Sequence, residues 1–217
     1  MRERSERWAA YTGVLAVVLW IVGVFIIEVG GVPGEGATDA ELLAYYQDDA
    51  NTILTGGWIF MTGCIAFLWF AVVLRERLVE AETASRMFAN VAFVGAVATG
   101  AFALLMSGPD LAAAIGEDDI SEAAAAAAAM LGDAFFVAAE RSAILLMLGA
   151  GAVALRTGLF PKPWAWFSFL LAVVLIIGPI GWAGLIFGLP LWVLGTTFFL
   201  VRRDRPAVET PPRTQAS

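Results

Sequence analysis

Residues 164–200 read WAWFSFLLAVVLIIGPIGWAGLIFGLPLWVLGTTFFL, a run without a single charged side chain. A membrane-spanning helix needs about 20 mostly apolar residues, so this block is too long for one crossing and short for two. Its division decides how often the chain crosses a membrane. The segment GPIGWAG, 178–184, holds the Gly and Pro residues that break a helix, and it marks the expected turn. The flanking charges support the same division. Arg156 and Lys162 precede the block, and Arg202, Arg203, Arg205 and Arg213 follow it. Lys and Arg concentrate in cytoplasmic loops. Two crossings keep both groups on one side, whereas a single crossing separates them.

Working outward, four further apolar blocks have spanning length. The expected crossings are residues 8–28, 53–74, 88–107, 136–155, 162–178 and 183–201. Arg2, Arg4 and Arg7 precede the first; Arg75, Arg77 and Arg86 lie between the second and third. With the six basic residues around the last block, these leave Arg141 as the only other one of 13. The connections at 29–52 and 108–135 carry no Lys or Arg but many carboxylates, among them Glu35, Asp39, Glu41, Asp110, Glu117 and Asp133. The alternation predicts an all-α polytopic bundle of six transmembrane helices, N-in and C-in. Residues 1–205 form its single domain, and 206–217 form a polar, Pro-containing, disordered cytoplasmic tail. A signal peptide is the rival reading of the first block, because MRERSERW supplies a basic start. Its apolar core exceeds the usual ~7–15 residues, and no clear A-x-A site follows.

Composition agrees with a hydrocarbon solvent. Hydrophobic residues make up 60% of the 217, and mean hydropathy is +0.80. A net charge of −7 argues against nucleic acid, whose phosphates need clustered Lys and Arg. Cys64 is the only cysteine, so no intrachain disulfide can form.

Two features are expected outside the membrane. TDAELLAYYQDD, 38–49, opens with Thr38 three residues before Glu41, a capping-box pattern, and predicts a short helix on the outer interface. It reads as a lid over the bundle end, or alternatively as a binding element. DDISEAAAAAAAML, 118–131, pairs Asp119 with Glu122 in a cap-like spacing ahead of seven alanines, the best helix formers. Span four is therefore the end of a longer helix that projects outward. The acidic loops lack the spacing of a calcium loop and read as a solvated rim.

Within DAFFVAAERSAILLML, 133–148, Glu140 and Arg141 stand side by side in an apolar run. Counting back from Arg156 puts them about 6–8 Å below the outer surface at 1.5 Å per residue. Asp133 and Glu140 are seven apart and share a helix face. Adjacent residues on a helix do not face each other, so Arg141 is expected to pair with Glu28 or Asp110 on another helix. The candidate polar cluster is thus Glu140, Arg141, Asp133, Glu28 and Asp110. It either pins helices together or forms a shallow outward-facing site in which Glu140 takes a cation or proton.

Small residues four apart, Ala92, Ala96 and Gly100 and then Gly184 and Gly188, predict close helix packing; a homodimer seam is the alternative. Pro190 predicts a kink. The absence of histidine excludes His-ligated haem and zinc, no P-loop is present, and no catalytic constellation is visible. We therefore expect no cofactor, no metal and no enzyme.

ELLAYYQDDANTILTGGWIFMTGCIAFLWFAVVLRERL, 41–78, and AERSAILLMLGAGAVALRTGLFPKPWAWFS, 139–168, flank a Gly/Ala-rich third span. Together they resemble a family of uncharacterised six-span integral membrane proteins of GC-rich bacteria, a domain of unknown function. The resemblance implies six spans in the bacterial cytoplasmic membrane and transfers no activity. The expected function is that of a multi-pass, non-enzymatic membrane protein acting through packing or partner contacts. A small transporter or channel-like protein using Glu140 and Arg141 is the alternative. The lipid bilayer is the expected partner, with a homo-oligomer, a membrane partner or an unidentified small molecule beside it.

Overall fold

The computed structural model describes residues 9–34, 36–83 and 85–203. The expected tail at 206–217, Glu35, and the basic residues Arg2, Arg4, Arg7, Arg205 and Arg213 lie outside them. Every regular element among the described residues is helical: α1 (Thr12–Val29), α2 (Asp39–Asp48), α3 (Ala50–Ala81), α4 (Met87–Ile115), α5 (Glu122–Thr157), α6 (Lys162–Ile176) and α7 (Gly178–Arg203). Five of them, α1, α3, α4, α5 and α7, are long and apolar enough to cross a membrane. Helix α6 is apolar but has 15 residues, about 22 Å.

Neighbouring helices approach where side chains are small. A Cβ added at Gly149 would strike the backbone of Phe88 and Ala92, so α4 and α5 touch backbone to backbone. Of the expected stripe, Ala92 lies on this seam and Ala96 is buried, while Gly100 packs against Phe67 and Leu68 of α3. Helices α1 and α3 meet in the same way at Gly23 and Gly56, and the Trp20 indole N–H reaches the Cys64 sulfur at 3.4 Å. The main core unites Trp20, Phe67, Phe70, Leu146, Met147 and Trp192 from four helices.

Helix α5 has 36 residues, about 54 Å, well beyond the ~30 Å of hydrocarbon. Its N-cap is Ser121, whose hydroxyl accepts the Ala124 N–H at 3.3 Å; Asp119, the expected cap, precedes it in a turn. The extended backbone of Ser121 aims its side chain back at the first free N–H groups. Helix α4 runs through Pro109 to Ile115 instead of ending near Ser107. The expected outer connection is therefore largely a pair of helix extensions. Helix α2 packs on them: its Tyr46, with Ala50 and Ile53 of α3, forms a second cluster with Ala113, Ala114, Ala125 and Ala128. Ala125 and Ala128 are the two buried members of the alanine run. The capping box of α2 is present, with the Glu41 carboxylate accepting the Thr38 N–H at 2.7 Å.

Helices α6 and α7 pair as an antiparallel hairpin. The Trp192 indole donates to the Ser168 hydroxyl at 2.8 Å and the Trp164 indole to Thr196 at 3.1 Å, while Gly188 faces Leu171 and Gly184 faces Leu175. Trp164 thus points into the hairpin, whereas Trp166 and Trp182 are exposed. The segment 178–184, expected as an open turn, is helical from Gly178 on, and the break is the single extended residue Ile177 (φ −81, ψ 98). Pro190 lacks the N–H that would bond to residue 186, and the preceding Gly184–Gly188 widens into a π-helical turn, with the Leu189 N–H bonding back to Gly184.

Candidate functional site

The hairpin tip is where the charges of α5 go. Ending α6 at Ile176 leaves its last carbonyls without intrahelical partners. Arg141 supplies donors: Nη1 bonds the Leu175 carbonyl oxygen at 2.6 Å and that of Ile176 at 2.9 Å. A cation at a helix C-terminus also meets the negative end of the helix dipole. Its Nη2 lies 3.2 Å from Glu140 Oε1. Glu140 is 3% exposed and its carboxylate fills the space beside Gly181, in the first turn of α7. Two consecutive side chains therefore grip the two sides of one break, the cation on the end of α6 and the anion against the start of α7. Around them the tip is apolar and outward-facing, with Ile176, Ile177, Ile180 and Trp182 all exposed.

Arg141 does not pair with Glu28 or Asp110. Counting faces on α5 leaves out the free carbonyls at the end of α6, which lie within reach of this long side chain. Both α5 residues converge on that break, which is why neighbours on one helix form the ion pair.

Asp110 has a different partner. The Tyr46 hydroxyl donates to Asp110 Oδ1 at 2.7 Å, tying α2 to the outer part of α4. Burial, then the Asp110 charge, push the Tyr46 phenol above its usual range, so it stays a donor at any ordinary pH. Asp133 is exposed on α5 beside this pair and adds to the negative field on Tyr46. Glu28 ends α1 exposed, and its charge acts on Tyr45. The five candidate residues thus divide. Glu140 and Arg141 hold the hairpin tip, Asp110 and Asp133 meet at Tyr46, and Glu28 stands near Tyr45. Asp133 and Glu140 do share a helix side, but seven residues separate them by about 10 Å.

Sequence reasoning missed Glu82. It is 6% exposed, and its Oε2 accepts the Ala89 N–H at 2.9 Å, capping α4 from the preceding connection. The available signal was an absence, because α4 starts after Arg86 with no capping side chain of its own.

Two open concavities lie far from Glu140, at the opposite end of α5. One is lined by Gly158, Pro161, Phe199, Arg202 and Arg203; the other by Arg77, Glu80, Leu200 and Arg203. Compared with family models, curated proteins and solved structures, the chain matches none.

Proposed function

We propose that the chain is a six-crossing integral membrane protein of the bacterial cytoplasmic membrane, with both termini cytoplasmic. It works through helix packing and partner contacts and carries out no chemistry of its own. In this reading α6 and the lower part of α7 are the fifth and sixth crossings. The tip just reaches the outer boundary, with Trp182 at the interface and α2 lying on the outer face as a lid. The resemblance to six-span bacterial proteins supports the count, as does the gathering of basic residues at one end.

One observation carries the non-transporting role. The most conspicuous intramembrane charge, Arg141, is engaged by two backbone carbonyls and by Glu140, a structural task that accounts for both residues. The second reading, a small transporter, is favoured by Glu140 Oε1, which is buried and has no partner besides the Arg141 guanidinium. Proteoliposomes separate the two. Proton and monovalent-cation flux through wild type and Glu140→Gln should be equal and at background. A flux that wild type supports and Glu140→Gln abolishes would establish the transporter instead.

A further inference from the structure

The end of the bundle that carries the arginines holds two open depressions of about 340 and 240 Å³ on either side of Arg203, sharing it and Leu159 as a common wall. Arg203 donates to the Gly158 carbonyl at 3.3 Å, which fixes its guanidinium between them. Arg202 lies over the Phe198 ring, 5.0 Å from its centroid, and remains exposed. Glu80, the carboxylate in the second depression, is paired with Arg77 at 3.5 Å. Among the described residues, Arg202 and Arg203 therefore carry the charge of the rim.

Beside the depressions, a separate exposed face of α7 is apolar. Leu191, Leu194 and Phe198 are exposed and recur at helical spacing, and Arg202 follows on the same face one turn later. A molecule with hydrocarbon chains along this stripe would have its head at Arg202 and Arg203. Planar guanidinium groups match the oxygens of a phosphodiester, and basic pockets at helix ends select anionic headgroups. We propose that this face binds an anionic phospholipid, its phosphate between Arg202 and Arg203 and its acyl chains along Leu191, Leu194 and Phe198. The proposal rests on the membrane reading, but not on which side each end faces.

The test uses the full chain, purified in detergent and stripped of lipid, with bound lipid counted by native mass spectrometry. Phosphatidylglycerol should bind at least about tenfold tighter than phosphatidylcholine with the same acyl chains. Arg202→Gln, which leaves the Arg203–Gly158 contact intact, should weaken phosphatidylglycerol about fivefold, and adding Arg203→Gln should weaken it further. Arg86→Gln, the same charge change on the connection before α4, should leave binding unchanged. Equal binding of the two lipids, or wild-type affinity in both arginine variants, would overturn the proposal. Displacement of phosphatidylglycerol by millimolar inorganic phosphate alone would overturn the lipid assignment in favour of a free anion. A C-terminus found outside the cell would refute the six-span reading and leave this binding result standing.

Discussion

Arg141 in the middle of α5 donates to the carbonyl oxygen of Leu175 at the end of α6, at 2.6 Å. The bond crosses between helices at the one extended residue that interrupts the last apolar block. It explains why two charges survive in a span. A broken helix in hydrocarbon needs its free backbone groups satisfied from within the protein.

Removing the two charges should therefore have unequal effects. Arg141→Gln leaves the buried Glu140 carboxylate without its cation and shortens the reach to both carbonyls, which should cost about 3 kcal/mol. Glu140→Gln keeps a polar group of the same shape beside Arg141 and should cost about 1 kcal/mol. Thermal unfolding in detergent reads both. Equal losses would show that the carbonyl contacts contribute nothing.

Gly181 has no room for a side chain, because a Cβ there meets the Glu140 carboxylate. Gly181→Ala should destabilise by about 1–3 kcal/mol, the range of overpacking. In a Glu140→Ala background the same change should cost much less. Additive losses in this double-mutant cycle would place Glu140 away from the tip.

At the α2–α4 contact, Tyr46→Phe removes one hydroxyl and leaves Asp110 without its donor, at a cost of about 1–3 kcal/mol. Tyr46→Ala also empties the second cluster and should cost about 3–5 kcal/mol. Hydrogen exchange should show the loss concentrated in α2 and the extensions of α4 and α5. Protection unchanged in α2 would mean that the lid is held elsewhere.

The start of α2 should loosen in acid. The hydrogen bonds from the Thr38 backbone and hydroxyl hold the Glu41 carboxyl below its usual 4.5. A depressed carboxylate contributes stability above its unfolded pKa, and that contribution is lost as pH falls through the lower folded value. Amide exchange at residues 39–42 should therefore accelerate, beyond the intrinsic pH trend, from just below pH 4.5 downward. Glu41→Gln, which still accepts the Thr38 N–H, should remove that extra dependence. The same dependence in the variant would assign it to another group.

The helices were legible in the sequence because hydrocarbon length and alternating loop charge each impose a coarse pattern that single residues do not disturb. The Thr38–Glu41 box was legible for a local reason, since both partners lie within one turn. The partners of the charges were not. Gly178 and Pro179 mark a break after α6, but which side chain reaches the carbonyls it frees appears only when the chain is folded. Tyr46 and Asp110 are separated by 64 residues and meet because α4 continues past Pro109, which local rules treat as a stop. Glu82 escaped notice because it caps its helix from outside the usual position.

The reading of two crossings in residues 164–200 is tested most directly by locating the C-terminus. In a Cys64→Ala background, Ser217→Cys should resist a membrane-impermeant maleimide in intact spheroplasts and react after lysis, while Gly34→Cys should react in both. Labelling of residue 217 from outside intact spheroplasts would contradict the antiparallel crossing pair, and with it the six-span account.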